Sequence, residues 1–184
     1  MPAHSALTGT DLHEMKGAST AVARTVPMSD GIGGSPFRYL NPRGIVTFTD
    51  LASPLTIVYP SVYTKIAPTT VLGGSPIEVT EATSARLTYT GADTVTFMAS
   101  LELAVDQSIG ANRDIEVQFY KNGAAITGAQ TVITAVSAAK NQISLKYPIS
   151  LVANDYIEAF MKNTGASGDV RVLAFFLSLI GFRS

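Results

Sequence analysis

From Ile45 onward apolar and polar side chains alternate with a period of two, and no sustained helical period interrupts them. The clearest case is TVTFMASLELAVD, where Val95, Phe97, Ala99, Leu101, Leu103 and Val105 alternate with Thr94, Thr96, Met98, Ser100, Glu102 and Ala104. Successive side chains of a strand point to opposite faces, so this spacing predicts a strand with one face in a core and the other mostly in water. The same alternation predicts strands in ARLTYT (Ala85, Leu87, Tyr89 inward), RDIEVQFYK (Ile115, Val117, Phe119) and NQISLKYPISL (Ile143, Leu145, Tyr147, Ile149, Leu151). Further strands are expected near 45–50, 55–66, 130–137, 155–162 and 169–182. In KNGAAIT, Asn122 and Gly123 stand between two strand-like pieces, and both tolerate the positive φ that a tight hairpin demands. Eight or more short strands in about 140 residues imply an all-β sandwich or jelly roll rather than an open sheet.

Residues 1–44 break the pattern: they are rich in Gly, Ser, Thr, Ala and Pro and carry almost no apolar periodicity. Such a segment buries too little to fold alone and reads as an extended N-terminal arm before a β domain at 45–184. The tetrapeptide GGSP occurs at 33–36 and again at 73–76. The flanks differ, so this is read as repeated turn chemistry and not as an internal repeat.

The last strand-like run differs from the others. Over 172–182 only Ser178 has a polar side chain. As a helix these residues would span about 16 Å against the roughly 30 Å of a hydrocarbon core, so a strand is expected, not a membrane crossing. Strict alternation puts Leu173, Phe175, Leu177 and Leu179 on one face and Val172, Ala174, Phe176, Ser178 and Ile180 on the other. A sandwich fills one face of a strand, so the second apolar face needs a cover. Another copy of the chain is one candidate, and the arm or a crossing loop is the alternative.

The 184 residues suffice for a sizeable core. Net charge is −1, and Lys and Arg are scattered singly, which leaves no electrostatic footprint for nucleic acid or an anionic membrane. The N-terminus lacks the charged-then-apolar layout of a signal peptide. Cysteine is absent, which removes disulfides, thiolate metal sites and a thiol nucleophile. Both histidines, His4 and His13, lie in the arm, where no rigid scaffold holds a base against a nucleophile. HEMKG starts like a zinc-protease motif, but Gly17 stands where the second His belongs. GIGGSP has Pro36 where a dinucleotide fingerprint needs Gly. Asp106, Asp114, Glu116, Asp155 and Glu158 could supply an acid/base pair or a loop Ca²⁺ site. The plainer reading makes Glu102, Glu116 and Glu158 solvated strand faces, and the Asp residues strand-end turns. Tyr59, Tyr63, Tyr89, Tyr120, Tyr147 and Tyr156 could stack on a glycan, but most fall mid-strand, where packing is the ordinary role. No catalytic residue, metal or cofactor is expected.

Four stretches taken together, RLTYTGADTVTFMASLEL, VQFYKNGAAI, ANDYIEAFMKNTG and RVLAFFLSLIGF, resemble the trimeric jelly roll of the C1q/tumour-necrosis-factor type as it occurs in bacteriophage virion proteins. The arm, LTGTDLHEMKGASTAVARTVPMSDGIGGSPFRYLNPRG, resembles the amino-terminal segment of phage head-fibre and decoration proteins. Gly9, Asp11, Leu12, His13, Glu14, Lys16 and Gly17 match the recurring element, and Met15 stands where Pro is common. The resemblance implies a homotrimer on the capsid surface of a virion, anchored through those arm residues to the major capsid protein or another virion protein. Val172, Ala174, Phe175, Phe176, Leu177, Leu179 and Phe182 would then form the contact around the threefold axis. A tail-fibre or head-mounted adhesin binding a host glycan or receptor shares the fold and remains the alternative.

Overall fold

The computed structural model describes residues 25–27, 37–39, 41–57, 62–107, 112–137, 139–164 and 169–183. The chain divides into two units, Met1–Leu40 and Asn41–Ser184. In the first, strands β1 (Thr25–Pro27) and β2 (Phe37–Tyr39) pair antiparallel, with Thr25 opposite Tyr39. The arm residues Gly9 to Gly17 named above lie outside the described residues.

The second unit holds β3 (Arg43–Thr49), β4 (Leu55–Ile57), β5 (Thr64–Lys65), β6 (Val71–Ile77), β7 (Val79–Thr80) and β8 (Arg86–Tyr89). It continues with β9 (Val95–Gln107), β10 (Arg113–Lys121), β11 (Ala124–Ala135), β12 (Asn141–Leu151), β13 (Tyr156–Asn163) and β14 (Val170–Phe182). They form two antiparallel six-stranded sheets. One runs β12-β9-β14-β3-β6 with β4 also on β14; the other runs β11-β10-β13-β8-β7 with β5 also on β13. From β8 to β14 the chain changes sheet at every connection except the β10–β11 hairpin. That crossing pattern makes a jelly-roll sandwich, and no helix occurs among the described residues.

The core forms where the alternation said it would. Val95, Phe97, Ala99, Leu101, Leu103 and Val105 of β9 are buried, facing Ile115, Val117 and Phe119 of β10 and Ile157, Ala159 and Met161 of β13. Each large apolar side chain removed from water contributes about 1.5–3 kcal/mol, which makes these inward rows the main source of stability.

Four elements differ from expectation. The segment read as one strand at 55–66 is two short pieces: β4 pairs with β14 in one sheet and β5 with β13 in the other. The second GGSP is no simple turn; it lies in β6, an edge strand, where Ser75 takes φ 48° and the register against β3 shifts between Arg43 and Ile45. Proline and a bulge are tolerated there because an edge strand pairs on one side only. The strand expected at 130–137 starts earlier, as β11, because its pairing with β10 continues past an irregularity holding Gly128 at φ 81°.

The fourth difference matters most for function. In β14, Val172 pairs with Val105 but Ala174 pairs with Ala104, so Leu173 is an extra residue and the alternation resets. Val172 therefore faces the same way as Phe175, Leu177 and Leu179, and all four are buried in this chain's own core. This corrects two readings. Val172 does not share a face with Ala174, and Val172, Phe175, Leu177 and Leu179 are spent inside the sandwich, leaving Ala174, Phe176 and Phe182 for any contact outside it.

Candidate functional site

β14 is the middle strand of its sheet, flanked by β9 and β3, so its outward side chains form the centre of a broad face. Register fixes the rows across it. Phe176 stands beside Thr47 of β3 and Glu102 of β9, with Ser144 of β12 next. Ile180 stands between Arg43 and Met98, with Pro148 beyond; Ser178 stands between Ile45 and Ser100, with Lys146 beyond. Ala174 lies between Thr49 and Ala104, and Phe182 lies beside Thr96.

The column is apolar where water reaches it. Ile180 is 48% exposed, Phe182 56% and Val71, in the Thr47 row, 68%; Phe176 and Met98 are half-buried. Opposed alanines, Ala104 and Ala174, leave a hollow of about 280 Å³ walled by Thr47, Thr49, Glu102, Gln142 and Phe176. Charge is confined to the flanks: Glu102 accepts a hydrogen bond from the Ser144 hydroxyl at 2.8 Å, Arg43 donates to the Ser75 carbonyl, and Lys146 is exposed. Exposed apolar side chains gathered on one sheet face among polar neighbours make that face a candidate protein contact.

The outward side of the other sheet is built differently. Tyr120 stacks on Phe160 with centroids 3.9 Å apart, Tyr63 meets Tyr120 edge-on, Lys162 sits over the Tyr63 ring and Arg86 over the Tyr156 ring. One face each of Tyr63, Tyr120 and Tyr156 is thus engaged by a neighbour. Tyr89 is fully buried in the core, against Phe97, and Tyr59 lies outside the described residues.

The carboxylates resolve into structural pairs. Asp106 forms a two-pronged pair with Arg171 at 2.6 Å, and Asp114 accepts from the Thr134 hydroxyl. Glu116 accepts from the Tyr63 hydroxyl and pairs with Lys162 at 2.9 Å. The Tyr63 hydrogen bond first, then Lys162, hold Glu116 below the usual carboxylate range, while burial and the same carboxylate push the Tyr63 hydroxyl well up. Glu158 is not a solvated face residue: it is buried under Lys65 at 2.7 Å and Arg86 at 2.9 Å. Long cationic side chains cover it because they can lie along the sheet and pair at once. Asp155 sits at a turn, as its residue type suggested. Burial raises its pKa, but Lys121, the Val152 N–H and the Asn122 amide outweigh that and hold it below normal. Among the described residues no group of three or more His, Asp or Glu side chains is placed to hold a metal ion.

Sequence reading located the central strand of the apolar face and missed its flanks. Met98 and Ala104 were visible as apolar residues on the wet side of the best alternating strand. Val71 was hidden because GGSP, starting two residues after it, reads as a turn.

No protein-family model matches the sequence, and no curated protein matches it. Solved structures do share the fold. Eiger TNF from S. frugiperda superposes with a TM-score of 0.53 at 11% identity, over 78% of this chain and 94% of that one. The PRD1 vertex protein P5 superposes with a TM-score of 0.53 at 10% identity, over 89% of this chain and 84% of that one. At such identities the likeness speaks for the backbone alone, and on that ground this chain is an all-β jelly roll of the TNF-like kind.

Proposed function

We propose that this chain is a structural protein of a phage virion, a capsid decoration protein of the cement or head-fibre type. Its jelly roll forms a homotrimer through the outward face of the β14 sheet, and residues 1–44 anchor it to the shell. The observation that carries the reading is the apolar column of Phe176, Ile180 and Phe182 on the middle strand of a sheet whose other face already fills the core. Covering it with two further copies removes those side chains from water, at about 25 cal/mol per Å² of apolar area. The arm motif supports the anchor, and the shared fold of a PRD1 vertex protein supports a virion setting. Three weakly binding arms on one trimer add avidity on a symmetric shell. The proposal includes no catalytic step, since the strand carboxylates are engaged in pairs that hold the fold.

Mass measurement in solution tests the assembly: the expected value is about three times the 19.3 kDa chain, and a monomer at micromolar concentration would overturn it. Deleting residues 1–40 should leave that trimer soluble but abolish its incorporation into particles. Truncated protein that still decorated virions would remove the anchor assignment.

A further inference from the structure

β3 and β14 are antiparallel neighbours, so the start of one and the end of the other lie at the same end of the sheet, with Arg43 opposite Ile180. Residues 1–40 join the second unit at Asn41. Any pull through them against the end of β14 would part this pair one rung at a time, the weakest direction for a two-strand seam, since each hydrogen bond is strained alone.

That end of the seam is closed by a dense set of contacts. The Gly181 N–H donates to the Pro42 carbonyl at 2.7 Å, and the Arg183 N–H donates to Asn41 Oδ1 at 3.2 Å. The Arg183 guanidinium pairs with Glu78, lies 3.7 Å from Asp93, and keeps only 13% of its side chain exposed. Glu78 sits between β6 and β7 at φ 52°, a left-handed conformation that non-glycine residues rarely adopt, and its carbonyl accepts the Thr90 N–H at 2.8 Å. Burial pushes the Tyr89 hydroxyl up, and the same guanidinium beside it opposes that shift. Glycine is required here for space: a Cβ on Gly181 would stand 2.6 Å from the Pro42 ring, and one on Gly44 would collide with Val79. A left-handed acid, glycines without room for a methyl group and a buried Arg–Glu pair converge at the point where residues 1–40 join.

We propose that Arg183, through Glu78 and Asn41, is a latch that closes the open end of the β3–β14 seam and keeps tension in residues 1–40 from peeling β3 off the sheet. The source of the tension rests on the anchoring reading above; the latch does not. Paired in a largely water-excluded position, the guanidinium ties the end of β14 to the β6–β7 junction on the other side of β3, while the Arg183 backbone N–H holds Asn41 just ahead of β3. Loss of one charge-assisted contact there opens the seam locally while the opposite sheet stays closed.

Amide hydrogen exchange on the full-length protein reads this directly. In Arg183→Ala, Gly181 and the N-terminal half of β3 should exchange at least about tenfold faster, with Val117 and Ile157 of the other sheet unchanged. Glu78→Gln, which keeps size and hydrogen-bonding capacity, should give the same local pattern at smaller amplitude. Pulled between its two ends, the Arg183→Ala protein should give its first extension step at lower force than the native chain. Unchanged exchange at Gly181 and β3 in either variant, a uniform rise across both sheets, or an unchanged first step would overturn the latch. None of these measurements involves virions, so their failure is separate from that of the anchoring test.

Discussion

At the residue scale, Asn122 and Gly123 show how much a dipeptide can specify. Both adopt positive φ, 52° and 79°, as the hairpin reading required. The structure adds what holds the turn in place: the Asn122 amide donates to Asp155 at 2.6 Å, its carbonyl accepts the Tyr156 N–H at 2.9 Å, and Lys121 pairs with Asp155 at 2.7 Å. Gly123→Ala is expected to cost about 1–2 kcal/mol, the penalty of a left-handed non-glycine residue, read as a lowered urea midpoint with an unchanged slope. Acid should weaken the same network. Asp155 and Glu116 titrate below their ordinary values in the folded chain, so their contribution is complete above the unfolded pKa of about 4 and is lost as pH falls through the lower folded values. Asp155→Asn should therefore be less stable than the native protein at pH 7, and the gap in urea midpoints should narrow as pH falls below about 4. A gap that did not narrow with falling pH would assign the effect to packing instead of charge.

At the element scale, β14 decides the interpretation. Its hydrophobicity was plain in the sequence, but the division of its faces was not, because one extra residue at Leu173 reverses the alternation on either side of it. A bulge leaves no signature in an all-apolar run, since every register looks equally buried. The corrected faces separate two substitutions. Leu177→Glu puts a charge in a fully buried position and should destabilise the chain by more than about 4 kcal/mol or prevent folding. Phe176→Glu faces outward, so it should leave a folded chain with a near-native circular dichroism spectrum but reduce its mass in solution to that of a monomer, with a lower melting temperature that no longer depends on protein concentration. Trimers of Phe176→Glu would show that the contact lies elsewhere. β6 makes the complementary point: GGSP looks like a break, yet an edge strand accepts it because only one side must pair.

At the scale of the whole molecule, one face of the β14 sheet fills the core and the other presents apolar side chains from β3, β6, β9 and β14 together. Most of this face was illegible in the sequence, because its members are separated by more than a hundred positions and each alone is an unremarkable surface residue. The same holds for Glu158, which looked like a solvated strand residue until Lys65 and Arg86 were brought over it from distant segments. Period-two alternation and turn chemistry are local properties, governed by side-chain direction and by φ. By themselves they determined that this protein is all-β, which side chains of β8, β9, β10 and β12 form its core, and where the β10–β11 hairpin turns. Register, bulges and the choice of neighbouring strand depend on contacts between residues far apart in the chain. Only the tertiary structure therefore decided which half of the last strand is core, which side chains join it in an outward apolar face, and how Arg183 closes the seam at the root of residues 1–40.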